Sequence, residues 1–215
     1  MRFLSILPVI FCLFVSSVLA QPKIQFGVNT EGSWFMPSEP SFYSQPNKDG
    51  LGVGVGVYTS RNIFWRISSD LGVMYRYSGM QQYYQVYGNS GGNYGGGNGY
   101  PTTPVAEGWD KLPMHSIVIP FHLKMHISKN LFIRGGIESA WLLNYEMVNE
   151  KPEFNWTLGF GSDIHKLSWS FNYIKGFKDQ GFGNGTLEAD GHYHGSIYRN
   201  NMLQLNLSYP LWQKK

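Results

Sequence analysis

Apolar and polar residues alternate along several stretches of the chain, most clearly from Asn62 to Ser78. Seven of the eight odd positions from 63 to 77 are apolar or aromatic, whereas six of the eight even positions from 64 to 78 are polar or glycine. The same alternation recurs from Ser116 to Ile127. Because successive side chains of a β-strand point to opposite faces, this pattern predicts strands with one apolar face and one polar face.

Eight such segments follow one another along the sequence. They cover approximately residues 22–35, 50–59, 63–80, 114–127, 131–147, 154–164, 167–178 and 199–211. The connections alternate between short ones, at 60–62, 128–130 and 165–166, and longer ones, at 36–49, 81–113, 148–153 and 179–198. Short periplasmic turns and long extracellular loops are typical of outer-membrane barrels. The sequence therefore predicts an all-β fold, an eight-stranded antiparallel up-and-down transmembrane β-barrel with both chain ends on the periplasmic side.

The first 20 residues have the features of a secretory signal peptide. A basic start precedes an apolar stretch from residue 3 to residue 19, and Val18 and Ala20 occupy the small-residue positions of a cleavage site. We expect cleavage after Ala20, which leaves 21–215 as one outer-membrane barrel domain. The only cysteine, Cys12, lies in the removed segment. Disulfides and cysteine-based sites are thus excluded from the mature chain.

Composition agrees with a membrane environment. Aromatic residues make up 16% of the chain and charged residues only 14%, against about 25% charged in soluble domains. The formal net charge is +3, which is far from the strongly basic footprint of a nucleic-acid-binding protein. Outer-membrane lipid is therefore the expected neighbour, and nucleic acid is not.

Side-chain size indicates which face of each strand points inward. Glycines such as Gly54, Gly136 and Gly159 share the polar face, whereas the opposite face carries large rings such as Trp65 and Phe160. An eight-stranded barrel has an interior barely wide enough for side chains to fill. The bulky face is therefore expected to meet lipid. The alternative is a soluble, secreted barrel with a ligand cavity.

This orientation places mixed charges inside the barrel. The expected interior charge network comprises Glu31, Arg66, Asp70, Arg76, Lys124, Arg134, Glu138, Glu146 and Asp163. Opposite charges can satisfy one another where isolated buried charges would be very unfavourable. We interpret the set as structural filling, with a conduit as the alternative, because eight-stranded barrels rarely leave an aqueous channel.

Few residues have the pattern of a binding or catalytic site. His192 and His194, with Glu188 and Asp190, are weak candidates for a divalent metal site, so we expect no metal and no cofactor. His122, His126 and Ser116 face inward or lie near a short turn, away from the long loops, and no nucleophile, base and acid have a recognisable spacing. We therefore expect no enzymatic activity.

One connection has a biased composition. The segment from Tyr87 to Pro104 is rich in glycine and tyrosine. Glycine prevents it from forming a packed core, and tyrosines are adaptable contact groups. It is interpreted as a disordered surface loop, with a partner or glycan contact as the alternative.

The hairpin from Ser116 to Asn144 resembles that of the PorT-like family, small outer-membrane barrel proteins of Bacteroidota. Ile119 and Pro120 enter a strand, Lys124 follows, and Gly135 and Gly136 precede a leucine-rich end at 142–143. The C-terminus departs from the usual aromatic ending of barrel proteins, because three polar residues follow Trp212. The resemblance implies an envelope or secretion-system protein as partner.

These observations favour a noncatalytic outer-membrane barrel with a structural or accessory role in secretion or envelope assembly. A small transport or ligand-binding barrel is the alternative. A lipid-modifying outer-membrane enzyme is the third hypothesis.

Overall fold

The computed structural model describes residues 24–38, 47–87, 104–144, 152–178, 180–187 and 193–213. The signal peptide, Glu146 and the central part of the glycine-rich segment lie outside the described residues, so those predictions stay predictions. Eleven strands lie within these ranges. They are β1 (Ile24–Phe35), β2 (Asn47–Lys48), β3 (Gly50–Phe64), β4 (Ile67–Tyr87), β5 (Pro104–His126), β6 (Leu131–Leu142), β7 (Glu153–Ile164), β8 (Leu167–Gly176), β9 (Gln180–Leu187), β10 (Tyr193–Tyr198) and β11 (Asn201–Gln213).

Eight of these strands form a closed antiparallel ring. The order of neighbours is β1, β3, β4, β5, β6, β7, β8 and β11, and β11 pairs with β1. Closure gives the backbone groups of each of these strands a partner on both sides, which an open sheet cannot do. The predicted eight-stranded antiparallel up-and-down barrel is confirmed. None of the described residues forms a helix long and apolar enough to cross a membrane.

Polar side chains line the interior of the barrel, and apolar side chains cover much of its outer surface. Among the described residues, 23 polar or charged side chains are buried, against nine apolar ones. Along β3, Val53, Val55 and Val57 are each more than half exposed, and the intervening glycines point into the barrel. A water-soluble barrel would bury its apolar face, so the lipid-facing orientation of this surface explains the pattern.

Two short turns lie where the sequence predicts them, and a third does not. The bends at 127–130 and the turn at 165–166 agree with the prediction. The turn predicted at 60–62 lies instead at Trp65 and Arg66. Arg61 and Asn62 continue to pair with β4, and a bulge between Asn62 and Phe64 shifts the register before the chain reverses.

The longer connections also contain pairing that the sequence did not predict. Strands β4 and β5 remain paired as far as Tyr87 and Pro104, well beyond the predicted ends at residues 80 and 114. The two-residue strand β2 pairs with Gln81 and Gln82 at the base of this extension. The predicted loop 179–198 contains the antiparallel hairpin β9–β10. These ribbons lie at the end of the barrel opposite the short turns.

Candidate functional site

The centre of the barrel contains a buried ion-pair network. The Arg76 guanidinium donates to both oxygens of Glu31 and, at 3.2 Å, to Glu138 Oε2. All three side chains are at most 2% exposed. One arginine therefore neutralises much of two carboxylates, which would be strongly destabilising if left alone in the interior.

A glycine on the strand between them allows Glu31 and Arg76 to meet. Gly54 lies opposite Glu31 on one side and opposite Arg76 on the other. A Cβ atom at residue 54 would lie 2.7 Å from Glu31 Cγ, so a side chain there would displace the carboxylate. The small residues of the polar face thus make room for the longer polar side chains of neighbouring strands.

Neutral polar side chains extend the network around the barrel. Gln204 donates to Glu31 Oε2, and Asn172 donates to Gln204 Oε1 at 2.8 Å. Arg134 donates to Ser170 Oγ at 2.8 Å and to His122 Nδ1. Side chains from β1, β4, β5, β6, β8 and β11 are therefore connected across the interior.

A second pair lies closer to the short turns. Lys124 Nζ is 2.8 Å from Asp70 Oδ2, and both side chains are about one-tenth exposed. Lys124 Nζ also lies 4.9 Å from the ring centroid of Phe132, which fills the interior beside it. Three acidic and three basic side chains of the predicted set are thus buried together, and their formal charges balance.

The loop end of the interior has a different composition. Phe35, Met80, Met114, Ile174 and Met202 form a buried apolar cluster, each at most 3% exposed. Leu112 and Leu142 pack against this cluster. We call this set the apolar cluster. It closes the barrel between the ion pairs and the long loops.

Little open space is left inside. A cavity of about 20 Å³ lies beside Asp70, His122 and Arg134, with Tyr58 and Asn206 on its other sides. That volume holds about one water molecule. The ion-pair network, Phe132 and the apolar cluster fill the neighbouring levels of the interior.

The predicted network residues that the structure describes divide into three groups. Glu31, Asp70, Arg76, Lys124, Arg134 and Glu138 are buried inside the barrel. Asp163 lies at the turn end, partly exposed, with its Oδ2 atom 3.0 Å from His126 Nε2. Arg66 is exposed in the β3–β4 turn, so its predicted place in the interior is wrong. Arg66 lies in the two-residue turn at 65–66, where the alternation of the strands is interrupted, whereas Asp70 and Arg76 have the same even parity and are buried.

Sequence reasoning did not identify the neutral members of the network. Gln204, Asn172 and Ser170 join the charged residues, and the apolar cluster was also missed. The signal was present, because each of these residues has the parity of the inward face of its strand.

The residues considered for metal binding and for catalysis do not form a site among the described residues. His192 lies outside the described residues, and His194 lies in β10. Among the residues that the structure describes, no three histidine, cysteine or acidic side chains come close enough to hold a metal ion. Ser116 is buried and donates to the Arg76 carbonyl at 3.4 Å, while His122 is enclosed in the ion-pair network.

Comparisons with known proteins provide structural neighbours of low similarity. No protein-family model matches the sequence, and no curated protein matches it. The outer membrane protein OprG from Pseudomonas aeruginosa is similar, with 9% identity, 88% of this chain and 95% of that chain covered, and a TM-score of 0.44. The outer membrane protein AlkL, determined in DMPC lipid bilayers, has 12% identity, 88% and 89% coverage and a TM-score of 0.38. These values are too low to assign a function to this chain.

Proposed function

We propose that this protein is a noncatalytic barrel of the bacterial outer membrane with a structural or accessory role. The observation that supports this role most directly is the filled interior. The ion-pair network and the apolar cluster occupy successive levels of the barrel, and the cavity beside Asp70, His122 and Arg134 holds about one water molecule. Contacts of such a barrel with other molecules then occur at its ends and its outer surface.

Membrane residence follows from the exposed apolar surface. Leu51, Leu158 and Leu211 are each at least 60% exposed, although leucine is normally buried in water-soluble proteins. After membrane fractionation, we expect the chain in the outer-membrane fraction, with faster gel migration before boiling than after it. A soluble periplasmic pool without this shift would contradict the assignment.

Planar-bilayer recording tests the filled interior. We expect the wild-type barrel to show no steady ionic conductance. The charge-neutral double variant Glu31→Ser with Arg76→Ser removes two large interior side chains and is the positive control for a leak. If the wild-type barrel conducts ions steadily, and Arg76→Gln changes the ion selectivity of that conductance, the structural role is wrong and the conduit is favoured.

The accessory role includes a protein partner in the envelope or a secretion system, with contact at the loop end. The PorT-like resemblance of the β5–β6 hairpin is the support for this partner. A photo-crosslinking residue at exposed Lys111, in the extended part of β5, is expected to give a defined adduct in cells. The matched position is exposed Lys166 in the β7–β8 turn. Equal adducts from both positions, or none from Lys111, would contradict contact at the loop end.

The apolar cluster favours ligand binding as the second candidate function. Three of its five buried members are methionines, whose flexible side chains adapt to different shapes. Methyl NMR of Met202 during addition of octane tests it. The structural role predicts no saturable shift at Met202, whereas a saturable shift that is lost in Met80→Ala with Met114→Ala would favour a ligand-binding barrel.

A further inference from the structure

The turn end carries a recess that none of the functions above explains. It has a volume of about 340 Å³ and lies between the β3–β4 turn and the β5–β6 turn. Volumes of this size accommodate small ligands or headgroups. Its lining residues are Asn62, Trp65, Arg66, His126, Ser128 and Lys129. We call it the turn-end recess.

Its lining is cationic. Arg66 and Lys129 are both exposed, and His126 points into the recess from the inward face of β5. The acidic group that contacts this set is Asp163, and its Oδ2 atom lies 3.0 Å from His126 Nε2. The two permanent positive charges of Arg66 and Lys129 are therefore not offset by a carboxylate of the recess lining.

The ring of His126 ties the turn in place. Its Nδ1 atom lies 3.3 Å from the Arg66 carbonyl, and its backbone N–H donates to the same oxygen at 2.9 Å. Both ring nitrogens of His126 thus face acceptors, the Arg66 carbonyl and the Asp163 carboxylate. The Arg66 turn is thereby fixed to β5 and β7.

The Arg66 side chain is also held in position. Its NH1 group donates to the Ile127 carbonyl at 3.4 Å, and its guanidinium carbon lies 4.6 Å from the ring centroid of Trp65. Trp65 has a φ of 38° and is 81% exposed. His165 has a φ of 58° at the same place in the β7–β8 turn, so the left-handed backbone belongs to the two-residue hairpin turn. The exposed indole and the guanidinium beside it line one side of the recess.

We propose that the turn-end recess binds a phosphate group. Arg66 and Lys129 supply charge-assisted donors, Ser128 and Asn62 supply neutral polar groups, and Trp65 packs against the group that carries the phosphate. Two sources present this chemistry at the turn end. They are the headgroup of an anionic phospholipid in the adjacent leaflet and a soluble phosphate ester.

Titration of the full barrel in nonionic detergent micelles tests the proposal. The readout is the indole N–H NMR signal of Trp65, assigned by its loss in Trp65→Phe. Dihexanoyl phosphatidylglycerol, glycerol phosphate and inorganic phosphate are the probes, and acetate is the control anion. We expect a saturable shift with at least one phosphate probe and none with acetate at equal concentration.

The three probes distinguish the sources. Saturation by dihexanoyl phosphatidylglycerol alone identifies a lipid headgroup site. Saturation by glycerol phosphate or inorganic phosphate at comparable concentration identifies a site for soluble phosphate. Equal shifts with acetate and phosphate, or no saturable shift with any probe, would overturn the proposal.

Matched variants test whether the recess itself is responsible. Arg66→Gln and Lys129→Gln are expected to weaken binding about tenfold each, as for the loss of a charge-assisted hydrogen bond. The control is Lys166→Gln, which removes the same charge from an exposed position in the β7–β8 turn, outside the recess. An equal loss in Lys166→Gln would show that overall positive charge, and not the recess, attracts the anion.

Discussion

The two halves of the barrel interior are filled in different ways. The central and turn-side half is held by Arg76, Glu31 and Glu138 with the Lys124–Asp70 pair, whereas the loop-side half contains the apolar cluster. In the charged half, each side chain is stable only while its partner is present. In the apolar half, stability depends on filled volume. Deletions should therefore have different consequences in the two halves.

The largest expected effect is in the charged half. Arg76→Met leaves Glu31 and Glu138 buried without their guanidinium partner, and should lower the free energy of unfolding by about 3–5 kcal/mol. Urea unfolding of the barrel in lipid vesicles measures it. The control, Lys166→Met at the exposed β7–β8 turn, should change it by less than about 0.5 kcal/mol. Comparable losses in both variants would contradict the buried network.

A second prediction concerns the apolar half. Met202→Ala creates a cavity in the apolar cluster and should lower the free energy of unfolding by about 2–4 kcal/mol, measured in the same way. Met125→Ala makes the same chemical change on the outward face, where Met125 is 47% exposed. No enclosed cavity forms there, so we expect a smaller loss. If Met125→Ala is the more destabilising variant, the inward packing of Met202 is wrong.

A third prediction tests how the charged half is accommodated. Gly54→Ala places a methyl group against Glu31 and should lower the free energy of unfolding by about 1–3 kcal/mol. Gly32→Ala is the matched control, because a Cβ atom at residue 32 meets no atom within 4 Å. We expect its effect to stay within about 0.5 kcal/mol. Equal effects would show that Glu31 does not need the space over Gly54.

The smallest effect is expected at the turn end of the charged half. The His126 and Asp163 side chains are 26% and 36% exposed, so water screens their interaction. A double-mutant cycle with His126→Gln and Asp163→Asn should give a coupling energy below about 1 kcal/mol. A coupling energy as large as the loss of stability in Arg76→Met would contradict the expectation that ion pairs contribute less to stability at the turn end than at the centre of the barrel.

The fold could be predicted because a strand's period of two is fixed by backbone geometry. The alternation assigns Glu31, Arg76 and Glu138 to one face without any knowledge of their partners. The position of Arg66 could not be derived in this way, because the chain reverses at Trp65 and Arg66, and a turn residue belongs to neither face of a strand. Turn position depends on pairing between strands, which the local pattern does not contain.

The alternation along each strand also could not predict which side chains share one level of the barrel interior. Phe35 has the same parity as Glu31, and Met202 the same parity as Gln204, so the alternation places all four inside. Which of them become neighbours depends on the register of non-adjacent segments around the closed ring. The separation into a charged half and an apolar half emerges only when that register is known.

The extension of β4 and β5 projects beyond the loop end of the barrel. From Gly79 to Tyr87, β4 pairs with 104–113 of β5 beyond the last residues that β3 and β6 pair with. At about 3.3 Å per residue, this ribbon spans on the order of 25–30 Å. Lys48 over the Trp109 ring, at 3.8 Å, braces its base. In the outer membrane that we propose for this protein, antibodies, phages and proteases arriving from outside would therefore encounter this ribbon before they reach the barrel.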